Sequence, residues 1–212
     1  MLTVADLSTV NLLFAAMKIF SESCEENKYP ILDVLRKEFS NAHTILEIGS
    51  GTGQHAVFFA EQLPHVLWQP SDVISSHASI IAWTNDSQLD NLLPPLELDV
   101  AQDHWPKAIY DGVFSANTAH IMSWPEVIEL FRGIKNVLQI QGKFCLYGPF
   151  NYKGQFTSPS NAHFDQWLKM RDPGSGVRDF EAVDALANDN GLKLLKDYEM
   201  PVNNRLLVWQ RH

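Results

Sequence analysis

Glycine occupies every second position of Gly49-Ser50-Gly51-Thr52-Gly53, directly behind the strand-like run Ile45-Leu46-Glu47-Ile48 and ahead of a helix-like segment at 54–63. A strand that ends in a glycine-rich turn and opens a helix points backbone N–H groups at whatever fills the turn. Glycine lets the backbone take positive φ and lets a ligand approach to contact distance. The helix adds its positive N-terminal end, which suits a carboxylate or a phosphate. The stretch is therefore read as a nucleotide-type ligand turn that includes Ser50 and Thr52.

Polar residues also recur where successive strands end. The second predicted strand, 66–71, runs into Asp72, the third, 96–98, into Asp99, and the fourth, 112–116, into Asn117. In open parallel sheets ligands sit beyond the carboxyl ends of the strands. Asp72 lies nineteen residues beyond Gly53, where a carboxylate can accept both hydroxyls of a ribose. Asp99 is placed to accept from an adenine amine while Val100 packs on the ring.

The elements that must hold these residues alternate between strand and helix, which predicts an α/β chain with a mostly parallel sheet. The first strand is predicted at 44–48 and the fifth at 143–147, closed by Gly148-Pro149. A helix is expected to open at Tyr29-Pro30 and run toward Phe39, because proline suits a first turn. Others are expected at 76–84, 125–138 and 179–189, and the apolar run 10–17 reads as an amphipathic opening helix. Two final strands, 192–198 and 205–210, have hairpin spacing, so the last is expected to run antiparallel. Residues 151–178, rich in Gly, Ser, Pro and Asn, read as an irregular excursion of the functional kind.

Composition narrows the functional classes. At 212 residues the chain suits a single domain, 1–212, with an N-terminal helical segment at 1–40. A net charge of −9, from 16 basic and 25 acidic side chains, argues against a nucleic-acid or anionic-membrane grip. No apolar run is long enough to span a bilayer. Two separated cysteines and eight unclustered histidines give no metal-ligand spacing, and the expected compartment is the cytoplasm.

Two ligand patterns fit the glycine turn. Residues 51–56 satisfy the dinucleotide fingerprint G-x-G-x-x-A. Residues 47–53 satisfy the acidic–x–G–x–G–x–G pattern of S-adenosylmethionine (SAM) methyltransferases, which gives roles to Glu47 and Gly49 that the first pattern leaves idle. The chain resembles the class I SAM-dependent methyltransferases and, within them, the methyltransferase-like protein 26 family. The resemblance is carried by LEIGSGTGQHAVFFAEQLP at 46–64, WQPSD at 68–72 and NTAHIMSW at 117–124. LYGPFNYKGQFTSPSNAHFD at 146–165, RDPGSGVRDFE at 171–181 and MPVNN at 200–204 extend it. That family carries an arginine before its Asn-Lys pair, where this chain has Glu26, so that arginine's role is not carried over.

The resemblance implies a Rossmann-like fold with a seven-stranded, mostly parallel sheet and helices on both faces. It implies SAM as cofactor, held by Glu47, Gly49, Ser50, Gly51, Thr52, Gly53, Asp72, Asp99, Val100 and Asn117. Around the methyl it places Asn117, His120 and Tyr147 as the candidate catalytic groups, with His120 either a general base or a capping or packing histidine in the turn before Trp124. A cap over 150–180 would offer Arg171 and Arg178 to a substrate carboxylate or phosphate, or pair them with Asp172, Asp179 or Glu181 to hold itself shut. Phe150, with Tyr152, Phe156 and Trp167, would wall the pocket, the alternative for most of the four being that they pack as core. The implied activity is methylation of a small molecule. Its rivals are a catalytically silent SAM-binding protein and a dinucleotide-dependent oxidoreductase.

Overall fold

The computed structural model describes residues 18–102 and 104–212. The expected opening helix at 10–17 lies outside the described residues. Helix α1 spans Glu22–Glu38, with Glu22 and Glu25 in its first turn and Arg36 and Lys37 in its last, matching the helix dipole at both ends. It starts well before Tyr29, so Pro30 lies inside it. The cost of the lost N–H is offset on both sides of the proline. Gln54 Oε1 accepts the Ser21 N–H at 2.5 Å, while Asn27, Ile31, Leu32 and Leu35 are buried.

Strand β1 (Thr44–Ile48) leads through the glycine turn into α2 (Gln54–Gln62). Strand β2 (Leu67–Asp72), a short 3-10 turn (Ile74–Ser76) and α3 (His77–Ser87) follow, then β3 (Leu96–Glu97) and β4 (Tyr110–Ala116). Helix α4 (Trp124–Val137) opens where Glu126 accepts the Ser123 N–H at 2.5 Å. Strand β5 (Leu138–Asn151) is much longer than expected. Gly148 and Pro149 do not close it, because Arg205 and Asn204 of a partner strand continue its pairing. Helix α5 (Pro159–Arg171) lies within the stretch expected to be irregular, with Ser158 Oγ accepting the Asn161 N–H at 3.1 Å. The two-residue β6 (Arg178–Asp179), α6 (Phe180–Asp189), β7 (Leu192–Met200), a 3-10 turn (Pro201–Asn203) and β8 (Asn204–Arg211) follow in turn.

The sheet runs in the order β3-β2-β1-β4-β5-β8-β7, with β6 pairing off this path onto β5. The pairs from β3 through β5 are parallel. Strand β8 is antiparallel to both β5 and β7, as the hairpin spacing predicted. Helices cover both faces. On one, α4 and α6 bury Leu130, Phe131, Ile134 and Val183 against Phe144 and Trp209. On the other, α1 and α2 bury Ile31, Leu35 and Phe59 against Phe114, Cys145 and Val208. Both faces are apolar, which leaves the carboxyl ends of the strands as the place for polar chemistry.

Candidate functional site

A cavity of about 850 Å³ opens over the carboxyl ends of β1, β2, β4 and β5, within the range of a cofactor-sized pocket. The glycine turn forms one wall. Gly51 holds φ +56°, and a Cβ built there meets nothing within 4 Å, so a side chain would project into the cavity. Gly53 has a different reason to be glycine: its φ is +95° and a Cβ would lie 2.9 Å from the Ile80 backbone, where α3 packs on the turn.

Glu47 does not face the cavity. Its buried carboxyl accepts Ser50 Oγ–H and Trp68 Nε1–H, each at 3.0 Å. Burial pushes its pKa up to about 7 against the lowering effect of those two donors, with the Asp72 charge adding to the rise. Ser50 Oγ in turn accepts the Ser71 N–H at 3.1 Å. Glu47 therefore braces the turn from behind, and a ligand contact for it is corrected to that role. Asp72 lines the cavity, but its carboxylate is engaged. One oxygen accepts Gly51 N–H at 2.7 Å, and the other accepts Val73 N–H at 2.7 Å and Ser76 Oγ–H at 3.0 Å.

Asp99 and Val100 are not among the residues lining the cavity. Asp99 closes its own turn by accepting from Ala101 N–H and Gln102 Nε2–H, both at 3.0 Å, and Val100 packs in the core. Gly49, Ser50 and Thr52 do line it, while Gly53 does not.

The acceptor side is built from the ends of β4 and β5. Asn117 sits at φ +59° with its N–H on the Tyr147 carbonyl at 2.9 Å, and both residues line the cavity. The Tyr147 hydroxyl accepts Asn204 Nδ2–H at 3.0 Å. Burial raises its pKa, so it stays protonated. His120 lines the cavity, is 5 % exposed, and makes no side-chain hydrogen bond among the described residues. Burial, with the Arg178 charge adding to it, lowers its pKa to about 4, so the imidazole is neutral at neutral pH.

The two arginines of the expected cap part company. Arg178 is absent from the cavity wall: its guanidinium donates to the backbone carbonyls of Ala119 and Gly174, both at 2.9 Å, and to that of Met122. Arg171 lines the cavity at the end of α5, stacked over the Trp167 ring at 4.7 Å. Neither pairs with Asp172, Asp179 or Glu181. Phe150 is 1 % exposed and belongs to the core, so its assignment to the substrate is corrected. Of the other aromatic candidates only Trp167 reaches the cavity; Tyr152 stacks on Phe180 instead.

Sequence reasoning missed the wall that α1 contributes, including Cys24, Glu26 and Asn27. A signal was present: Asn27 lies on the same helical stripe as Ile31 and Leu35, a polar residue where the pattern asks for an apolar one. It is 9 % exposed and its Oδ1 accepts from His55 Nε2 at 2.7 Å. Burial lowers the pKa of His55 to about 4 as well. With both histidines neutral, the charged groups on the cavity wall among the described residues are Glu26, Asp72 and Arg171. The hairpin tip adds Val202, a β-branched residue at φ +58°.

Solved structures of similar shape are methyltransferases at low identity. An O-methyltransferase family protein from Burkholderia thailandensis superposes with a TM-score of 0.78 at 16% identity, over 87% of this chain and 56% of its own. Human N-acetylserotonin methyltransferase, solved with SAM, gives 0.73 at 14% identity, over 90% and 53%. An O-methyltransferase family 2 protein from Planctomyces limnophilus, solved with apigenin, gives 0.78 at 14% identity, over 100% and 62%. The chain thus spans between about half and three-fifths of the length of these structures, and shares with them the Rossmann-like methyltransferase fold. The family model described as "Protein of unknown function (DUF938)" matches residues 18–211, and the chain belongs to that family.

Proposed function

We propose that the cavity binds SAM and that the protein transfers its methyl group to a small-molecule acceptor, within the methyltransferase-like protein 26 group that the chain resembles. The observation that carries this reading is Gly51: a positive-φ glycine with free space in front of it and the Asp72 carboxylate beside it. The turn from Gly49 to Thr52 and the Asp72 carboxylate would hold the cofactor. SAM supplies a methyl group already activated by its sulfonium charge. What remains for the protein is alignment, exclusion of water and removal of an acceptor proton.

The chain's own groups suit those tasks. His120 is neutral and offers a ring nitrogen as base. A neutral imidazole there can accept the proton that the acceptor gives up on methylation. Tyr147 and Asn117 flank the site and orient the acceptor through neutral hydrogen bonds. Arg171, the one cation on the wall among the described residues, would take an anionic group at the mouth. Phe164, against the His120 ring, and Trp167, under Arg171, give that wall apolar surface that sheds water. The membrane plays no part in this reading, and among the described residues no helix is long and apolar enough to cross one.

Thermal shift with S-adenosylhomocysteine and with NAD tests the reading. Stabilisation by S-adenosylhomocysteine and none by NAD is the expected result. The opposite pattern would overturn it in favour of the dinucleotide fingerprint at 51–56.

A further inference from the structure

Four consecutive backbone carbonyls around His120 are each met by a donor from one loop, 172–178. The Ala119 carbonyl accepts Arg178 Nε–H at 2.9 Å. The His120 carbonyl accepts Gly176 N–H at 2.9 Å. The Ile121 carbonyl accepts Ser175 Oγ–H at 2.6 Å, and the Met122 carbonyl accepts the second arm of Arg178. All four carbonyls of the turn are thus spoken for by the same short segment.

The loop is itself held on two sides. Its start is fixed by Asp172, whose side chain accepts Gly174 N–H at 2.8 Å and whose carbonyl accepts Ser175 N–H at 3.0 Å. Its end is tied to α5, where Asp165 Oδ1 accepts Val177 N–H at 2.9 Å. A Cβ on Gly176 would fall 2.9 Å from that same oxygen, so the close approach needs glycine. Asp165 is 4 % exposed, and its other oxygen pairs with Lys169 at 2.7 Å. Helix α5 also carries Phe164, which meets the His120 ring edge-on with centroids 5.2 Å apart, and Trp167, stacked on Phe164 at 5.8 Å.

The His120 ring has no side-chain hydrogen bond of its own among the described residues, unlike His55, which is oriented by Asn27. A base needs its nitrogen at a fixed point, and most are oriented by a third group. Here the orientation can come only from the backbone that bears the ring and from the surfaces that touch it. A turn with a purely structural duty could leave its carbonyls to water. A fork from one arginine across two of them fixes the turn's shape as water cannot.

We propose that loop 172–178 is the positioning device of His120, with Arg178 and Ser175 as positioning residues that act through the backbone of residues 119–122. The proposal rests on the reading of His120 as the base. It makes the acceptor wall on α5 and the base on the β4 turn parts of one rigid unit, joined at Asp165–Val177. The charge of Arg178 has a second effect from the same place, since it adds to burial in disfavouring protonation of the imidazole. Arg178 is itself faced by Asp165 and Glu126, which offset part of that charge.

The test is an NMR titration of the His120 imidazole in the full chain with S-adenosylhomocysteine present, for wild type, Ser175→Ala, Arg178→Lys and Arg178→Gln. Arg178→Lys keeps the charge and loses the fork, so the imidazole is expected to give more than one set of ring signals at a nearly unchanged pKa. Arg178→Gln loses both, and the pKa is expected to rise as well, with burial still holding it below the ordinary imidazole value. Ser175→Ala, a single lost donor that leaves the core intact, is expected to shift and broaden the His120 ring signals and carries the test if an Arg178 variant does not fold. Unchanged ring signals in folded Ser175→Ala and Arg178→Lys, with only a lower melting temperature, would overturn the proposal. Failure of the wild type to bind S-adenosylhomocysteine would instead strike the functional reading, and the ring signals of the variants would still decide whether the loop positions the imidazole.

Discussion

The carboxylate of Asp72 accepts the backbone N–H of Gly51 at 2.7 Å, so the end of β2 closes the glycine turn at the end of β1. The residue expected to take a ribose is therefore also a strut of the turn that would cradle the rest of the ligand. Binding at Asp72 and the shape of the turn are linked through one hydrogen bond.

Asp72→Ala should consequently cost twice. The free protein loses three acceptor contacts and is expected to fall in stability by about 1–3 kcal/mol. The shift produced by S-adenosylhomocysteine should shrink as well. Differential scanning fluorimetry with and without ligand separates the two losses, and an unchanged ligand shift would remove Asp72 from the binding site.

Two glycines of the same turn should fail in different ways. Gly51→Val is expected to keep the circular dichroism of the wild type and abolish ligand binding, because its side chain enters free space. Gly53→Ala places a Cβ against the Ile80 backbone at positive φ and is expected to lose about 2–3 kcal/mol in urea unfolding. If Gly51→Val binds with wild-type affinity, the ligand does not lie over this turn.

Stability against pH should carry two opposing slopes. Glu47 rises from 4.5 to about 7 on folding, so the native state holds a proton there that the unfolded state releases. Its contribution is full below pH 4.5 and is lost as pH climbs to about 7. His55 and His120 fall from 6.5 to about 4, so their contribution is present above pH 6.5 and lost as pH drops toward 4. Two histidines outweigh one carboxyl, and the stability of the free protein is expected to rise from pH 4.5 to a maximum near 7 before declining slightly. Glu47→Gln should steepen the acid limb and flatten the decline, measured as urea midpoints across that range. A wild-type curve that falls steadily from pH 4.5 to 6.5 would contradict these burial effects.

Arg171 is exposed and pairs with no carboxylate among the described residues. Arg171→Ala is expected to leave the melting temperature and S-adenosylhomocysteine binding within error. Once an acceptor is found by screening, kcat/KM for anionic acceptors should fall by at least about tenfold. Equal loss on neutral acceptors would show that the guanidinium packs rather than pairs.

How far the sequence revealed this arrangement depended on how local each cause was. The first strand, the glycine turn and α2 were legible because strand run, glycine spacing and helix follow one another without a gap. Helix α5 was hidden because its buried positions are Asn161, Asp165 and Leu168, so it lacks the apolar stripe that announces a helix. Glu47 reads as a ligand contact in the motif and proves to be a brace, since its partner Trp68 is twenty-one residues away. Arg171 and Arg178 looked alike in the chain. Two of the three carbonyls that claim Arg178 belong to a turn more than fifty residues earlier, which no local pattern announces.

Strand β8 lies between β5 and β7, and its Leu206, Leu207, Val208 and Trp209 are wholly buried. A ribosome delivers these residues after everything before Asn204 has already emerged. Until then β5 presents an open apolar edge, and β7 has no partner in the sheet. The pairing of β5 with β8 joins residues about sixty positions apart, the kind of contact that topology makes late to form. A chain stopped ahead of Asn204 is therefore expected to possess every residue of the glycine turn and no finished sheet to hold it.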